Sequence, residues 1–198
     1  MVQHRAVVSQ GRCLLVDVQA EQFASSVMNV HITPSLPTVE KKSLIRRLLD
    51  TSYGENQLYF YCGDWNFTAS DDDRINLADT SAVGHDIALA EVFDGHSRHL
   101  VELYQPAFTR RQVIRGGLTS LSRLDRIYVN LPPAELVDRR PFACTEGYIS
   151  DPRIPSDHVP VSATSIGPNL FLLIDLPWHG GSRGTTLTLA PLITFLAM

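Results

Sequence analysis

The sequence predicts an α/β fold, and three observations carry that expectation. An amphipathic helix over Thr38–Asp50 lies between two apolar, strand-like runs, the pattern of a strand–helix–strand crossover. The second of those runs, Leu58–Cys62, holds three aromatic residues and stops at Gly63, with Asp64 and Asn66 just beyond. That apolar density reads as a buried strand, and open α/β sheets place their ligands at such carboxyl ends. A third run, Ser122–Val129, alternates apolar and polar residues and would bring another carboxylate, Asp125, to a strand end.

Composition is that of a folded protein. With 198 residues, 44% apolar and 19% charged, one domain with a sizeable core is expected, not a disordered chain. The net charge of -4 does not advertise nucleic-acid binding, but its distribution is uneven. Residues 55–102 carry ten acidic side chains against Arg74 and Arg98, whereas 106–140 carry seven arginines against Asp125, Glu135 and Asp138. An acidic pocket beside a basic wall suits a metal and an anionic ligand. Fifteen of the seventeen basic residues are Arg, the side chain better shaped for bidentate phosphate contacts. Cys13, Cys62 and Cys144 form no CxxC pair, which argues against a zinc knuckle or disulfide framework and for a reducing, intracellular compartment, nuclear or cytoplasmic. The first residues lack the apolar core of a signal peptide, and no run reaches the roughly 18 apolar residues of a membrane span, so no membrane partner is expected.

In chain order, Cys13–Val18 and Ser26–Ile32 read as strands, with residues 19–24 as the hairpin loop. Thr33-Pro34 ends the second, just after Asn29 and His31. In the helix, Thr38 is placed to cap, and Val39, Leu44, Ile45, Leu48 and Leu49 form one stripe, with Lys41, Lys42, Arg46 and Arg47 largely opposite. Gly54 is a stop signal. Residues 69–74 include three consecutive aspartates and are expected to form a solvated polar loop, since bare like charges repel without a cation. A short helix is expected from about Ala82 to Phe93, ended by Asp94-Gly95. Leu100–Tyr104 fits strand or helix equally, and residues 106–117 read as basic loop.

The Ser122–Val129 strand is broken by Leu131-Pro132-Pro133. Further strands are expected near Ala143–Ile149 and Leu170–Ile174, with residues 151–155 as loop and Val159-Pro160-Val161 entering the core. The Gly-rich stretch 178–186 lacks the Gly-Lys-Ser/Thr ending of a phosphate loop. Leu187–Met198 is apolar but too short to cross a bilayer.

Three short motifs each set polar, potentially catalytic groups beside an apolar strand: Gly63-Asp64-Trp65-Asn66, Ser122-Arg123-Leu124-Asp125 and Ser156-Asp157-His158. Together they offer metal-binding oxygens, a histidine and a carboxylate partner for it, the equipment for metal-assisted attack of water on a phosphodiester. In this order they resemble the endonuclease/exonuclease/phosphatase superfamily. The longer strings Gly-Asp-Trp-Asn-Phe, Ser-Arg-Leu-Asp-Arg-Ile-Tyr and Pro-Ser-Asp-His-Val-Pro-Val are most similar to the endonuclease domains of non-LTR retrotransposons.

The resemblance covers roughly residues 10–165. It implies a four-layered α/β (α+β) sandwich, two mixed β-sheets packed face to face with helices outside. It also implies Mg²⁺ or Mn²⁺, a DNA phosphate backbone as partner, and hydrolysis of a phosphodiester. By position, Asp64 would orient or activate water and Asn66 would position water or phosphate. His158 would stabilise the phosphate, supported by Asp125, while His31 would contact the phosphate or help protonate the leaving group. Asp157 would be the metal ligand, with Arg110 and Arg123 as substrate contacts.

The family's first half supplies an Asn and a metal-binding Glu that the motifs here do not include, and Glu21 is not accepted as a replacement. Residues 1–167 are therefore expected to be a partial domain, truncated at its N-terminal half, and 168–198 a divergent tail. The competing expectations are a catalytically inactive remnant and a phosphatase of small phosphate esters.

Overall fold

The computed structural model describes residues 2–9, 13–20, 23–50, 58–77, 84–113, 119–139, 142–145, 157–159, 161–164, 171–175 and 186–190. Three antiparallel strands come first, β1 (Val2–Ser9), β2 (Cys13–Ala20) and β3 (Phe23–His31). Helix α1 (Thr38–Leu49) then crosses over to β4 (Leu58–Asp64), which pairs parallel to β3. A 3₁₀ turn at Asp71–Asp73 leads to β5 (Arg74–Asn76), α2 (Ile87–His96), β6 (Val101–Glu102), β7 (Arg110–Val113), β8 (Thr119–Ser122) and β9 (Asp125–Val129). After them come α3 (Pro133–Arg139), β10 (Phe142–Thr145), β11 (Val161–Thr164), β12 (Phe171–Asp175) and β13 (Thr186–Ala190). The main sheet has the order β1-β2-β3-β4-β9-β6, beside a three-stranded sheet β5-β8-β7 and the pairs β10-β11 and β12-β13.

The main sheet is buried on both faces where β3, β4 and β9 lie. Alternate residues of each strand point to opposite faces. On one face Met28, Val30, Tyr59, Tyr61 and Tyr128 meet Leu44, Ile45, Leu48 and Leu49 of α1 and Leu89 and Phe93 of α2. On the other, Val27, Phe60, Cys62, Ile127 and Val129 meet Ala143, Val161 and Ala163 of the β10-β11 pair, with Leu136 of α3 against them. Helices, main sheet and a second sheet thus stack in layers, the α/β class with mixed sheets face to face that the sequence predicts. This explains why the Leu58–Cys62 run does not alternate: both of its faces are interior.

Several expected boundaries move, each for a local reason. The β2–β3 strands run through Ala20 and from Phe23, so most of the expected 19–24 loop is ladder. Thr38 is the first helical residue, not the cap; Pro37 takes that place, without a side-chain cap bond. Val39, on the expected apolar stripe, is 77% exposed, whereas Leu44, Ile45, Leu48 and Leu49 are buried. Helix α2 starts later than expected, where Asp86 O accepts from Leu89 and Ala90 N–H, and runs through Asp94-Gly95. Its last turn is held by His96 Nδ1 against Asp50 Oδ1 of the α1 end, 2.7 Å.

Leu100–Tyr104 contributes the edge strand β6, and the basic 106–117 loop contains β7. The expected strand Ser122–Val129 is two strands with a break at Arg123-Leu124, one paired with β7 and the other with β4. Of the expected Ala143–Ile149 strand, residues 143–145 lie in β10 and the rest fall outside the described residues. Gly54 and residues 151–155 and 178–185 fall outside the described residues. Among the described residues no helix is long and apolar enough to cross a membrane.

Gly63 is where the sheet admits only glycine. Its φ is +142°, and an added Cβ would lie 1.9 Å from the carbonyl oxygen of Val30 on β3. Both the backbone strain and the clash with main chain must be relieved by moving β4 off β3. Gly63→Ala is expected to lower the unfolding midpoint by more than about 6 °C, taking strain of about 1–3 kcal/mol as the minimum, as measured by calorimetry.

Candidate active site

Strands β3, β4 and β9 end together, and their last or first residues form a row. His31 lies beside Asp64 in the parallel β3–β4 register, and Asp64 lies opposite Asp125 in the antiparallel β4–β9 register. All three project from the face that meets the second sheet, the face of Phe60, Cys62 and Ile127. Like charges directly opposite on a sheet are destabilising, so two carboxylates placed so are a signature of function rather than of folding. Both are almost fully buried, Asp64 at 3% and Asp125 at 5% exposure.

The turn after β4 folds Asn66 back onto Asp64. Asn66 adopts φ +47°, a left-handed conformation that few non-glycine residues accept. In this conformation its backbone N–H donates to Asp64 Oδ1 at 2.9 Å and its Nδ2 to Asp64 Oδ2 at 2.6 Å. The Trp65 side chain packs on the opposite face against Phe93 and Tyr128, while the backbone N–H of Trp65 donates to Leu124 O. The polar pair and the aromatic anchor thus leave the turn in opposite directions.

His158 arrives from the segment before β11. Its Nδ1 lies 2.7 Å from Asp125 Oδ2, which fixes the ring and turns Nε2 outward. A backbone bridge between Arg110 and His158, and Arg111 N–H to Asp157 O, tie this segment to β7. Arg110 Nε donates to Asp157 Oδ2 at 2.7 Å, and Asp157 Oδ1 stands 3.9 Å from His158 Nε2. Asp64, Asn66, Asp125, His158 and His31 are therefore brought to one end of the sandwich, with Asp157 and Arg110 as an ion pair at its rim.

Arg123 is not brought there. Its guanidinium is held by Asp73, the Gln105 carbonyl and Glu102. The aspartate run also differs from a solvated loop, because Asp73 is fully buried and paired with Arg123 and Arg126.

Sequence reading passed over Thr109. Fully buried, its Oγ1 accepts from both Leu124 and Asp125 N–H at 3.0 Å, and its own carbonyl accepts from Val159 N–H. One residue thus meets the end of β8 with its backbone N–H, holds the start of β9 with its hydroxyl and ties both to the residue after His158 with its carbonyl. Only the position of Thr109 inside a run read as basic loop could have pointed to it.

The electrostatics follow from burial and crowding. Loss of water, then the neighbouring Asp125 carboxylate, push the Asp64 carboxyl up to about 7, against the opposing pull of His158, Asn66 and Arg110. Burial alone would lower the His158 imidazole, but its hydrogen bond to Asp125 and the charges of Asp125, Asp64 and Asp157 outweigh this and raise it. Burial would likewise raise Asp157, yet Arg110 holds it below the usual carboxylate range.

One ligand atom each from Asp64, Asp125 and His158 lie within 4.8 Å of one another. This set fits a hard divalent cation: two close carboxylates keep a proton at neutral pH unless a positive charge replaces it. Asp64 and Asp125 would hold the ion. Asp157 stands apart from this group while its carboxylate is engaged by Arg110.

Comparison with known proteins gives the family and the fold. The pattern of the Endonuclease/Exonuclease/phosphatase family matches residues 6–158. Among solved structures, the endonuclease domain of TRAS1, a telomere-specific non-LTR retrotransposon, superposes with a TM-score of 0.57 at 14% identity, covering 85% of this chain and 69% of that one. An AP endonuclease from Archaeoglobus fulgidus gives 0.54 at 17% identity, covering 76% and 64%. D. rerio TDP2 complexed with single strand DNA product gives 0.53 at 16%, covering 75% and 59%. The chain thus spans less than two thirds of the length of the last two. No curated protein matches its sequence significantly.

The raised carboxyl makes stability depend on pH. A carboxyl that titrates higher when folded keeps a proton that the unfolded chain releases, so its ionisation opposes folding as pH rises from about 4 through about 7. The raised His158 acts in the same sense, its contribution being lost as pH rises through its folded value. Without divalent cations, Asp64→Asn is expected to be near neutral at pH 4 and to raise the unfolding midpoint at pH 8, read from melting curves across that range.

Proposed function

The chain belongs to the endonuclease/exonuclease/phosphatase family, and from that premise we propose that it is a metal-dependent phosphodiesterase, a DNA endonuclease of retroelement origin. The observation that carries the proposal is the buried Asp64–Asp125 pair with His158 held on Asp125. Two carboxylates that repel one another, beside an oriented imidazole, serve cleavage of an anionic ester better than they serve stability.

The residues divide the work by chemistry. Asp64, with both carboxylate oxygens held by Asn66 at the end of β4, is placed to orient or activate the attacking water beside the ion it would hold. Asn66, locked against Asp64, sets the direction of that carboxylate and places its amide beside the water or phosphate. His158 faces the phosphate with Nε2, and Asp125 fixes its ring and stabilises its charged form, as a carboxylate does behind a catalytic histidine. His31, in the same row, is placed to contact the phosphate or to protonate the leaving oxygen. Arg110, a quarter exposed at the rim, offers the phosphate backbone a guanidinium once it releases Asp157, which can then serve a metal. A bound Mg²⁺ or Mn²⁺ supplies Lewis-acid stabilisation of charge on the phosphate. The retroelement assignment rests on the three sequence strings and on the arginine-rich 106–140 stretch.

Supercoiled plasmid incubated with the protein and millimolar Mg²⁺ is expected to be nicked. Asp64→Ala and His158→Ala should each slow nicking by at least about 10²-fold. Absence of nicking, with no rise in melting temperature on adding Mg²⁺, would instead identify an inactive remnant. Hydrolysis of small phosphate esters without plasmid nicking would favour a phosphatase.

A further inference from the structure

Behind the acidic row lies a second charge cluster that the reaction does not touch. Arg126 follows Asp125 on β9, so its side chain leaves by the opposite face, and it is fully buried. Its guanidinium reaches the Asp73 carboxylate, donates to Tyr128 Oη at 3.2 Å and to Arg123 O at 3.2 Å, and lies 5.7 Å from the centre of the Phe67 ring. The Asp73 side chain is equally buried and accepts from two backbone groups as well, Ala69 N–H at 2.7 Å and Ser70 N–H at 2.9 Å. Arg123 closes the cluster, donating through Nε to Asp73 Oδ1 at 2.8 Å while its own N–H donates to Asp73 O. Burial alone would raise the Asp73 carboxyl, but Arg126, the Ser70 N–H and Arg123 hold it low, so it stays ionised.

We propose that Asp73, clamped between Arg126 and Arg123, is a positioning residue that sets the Asp64–Asn66 turn against Asp125 and His158. Its carboxylate grips the chain three and four residues beyond Asn66. Its two arginines bracket Asp125, one two residues before it and the other one residue after. Nothing else among the described side chains joins those two segments by charge. The ladder between β4 and β9 ends at the Asp64–Asp125 pair itself, where repulsion between carboxylates works to part the strands. The clamp sits just beyond that end and opposes the parting. Removal of the Asp73 charge would leave buried Arg126 with only Glu102, 4.0 Å away on β6, as a charged partner, and the turn would relax away from β9.

The role in catalysis rests on the phosphodiesterase reading, but the clamp can be read without it. In metal-free protein, the Nδ1 proton of His158 bonded to Asp125 is expected to give a far-downfield proton resonance, assigned by its loss in His158→Ala. Asp73→Asn is compared with Leu48→Ala, a cavity variant in the remote α1 core, and with Arg126→Lys, which keeps the charge but loses the forked contact. Asp73→Asn should lose or broaden the resonance and lower kcat for plasmid nicking by about 10²-fold, with KM within about threefold. Arg126→Lys should lie between it and wild type. Leu48→Ala should keep both the resonance and kcat despite a comparable fall in melting temperature.

Retention of the resonance and kcat in folded Asp73→Asn would overturn the proposal, as would equal losses in Leu48→Ala. If Asp73→Asn does not fold, an unchanged resonance in Arg126→Lys overturns it and a weakened one supports it. Wild-type protein that shows the resonance but does not nick DNA would fail the functional reading alone, and the resonance in the variants would still decide the clamp.

Discussion

The architecture depends on one pairing, the antiparallel ladder between β4 and β9. It carries Tyr61 and Tyr128 toward the helices and Cys62 and Ile127 toward the second sheet, so both cores are built on it. The same register sets Asp64 opposite Asp125 at its end. A slip by one residue would turn every side chain of β9 to the wrong face, so the register that buries the core also juxtaposes the carboxylates. The geometry of the candidate site follows from core packing, and the hydrophobic energy of two interfaces holds together a pair that electrostatics would separate.

Much of this was legible in the sequence. The crossover around α1 and the buried β4, with Asp64 at its carboxyl end just past Gly63, follow from apolar patterning and one glycine. The three polar motifs each lie beside a strand end, and Asp64, Asn66, Asp125 and His158 converge as their spacing suggested. What could not be read lies in tertiary pairing. Arg123 and Arg126 look alike as exposed charge in an arginine-rich stretch, yet Asp73, fifty residues before Arg123, draws both inward. Thr109 gives no sign in the sequence that its hydroxyl will take two backbone N–H groups from another segment. Asp157 reads as a free carboxylate until Arg110 on a separate strand pairs with it.

The errors in helix boundaries have a similar origin. Asp94-Gly95 is a sound stop signal, but His96 finds Asp50 at the end of α1, and that contact carries the last turn of α2 onward. Val39 fits the apolar stripe of α1 by angle, yet it stands exposed in the first turn while the rest of the stripe is buried. Local propensity was read correctly in both places, and long-range contacts decided otherwise.

The two-faced burial of β4 and β9 also bears on how the protein would lose activity. Strands at the centre of a sheet, covered above and below, open only when the whole domain opens. The acidic row sits at the end of those strands rather than on an independent loop, and its members come from chain positions as far apart as 31 and 158. Such a site cannot form from a fragment or survive partial melting. It would assemble last, once long-range closure is complete, and vanish with the first global unfolding event, so that a folded molecule and one with the row assembled are the same population.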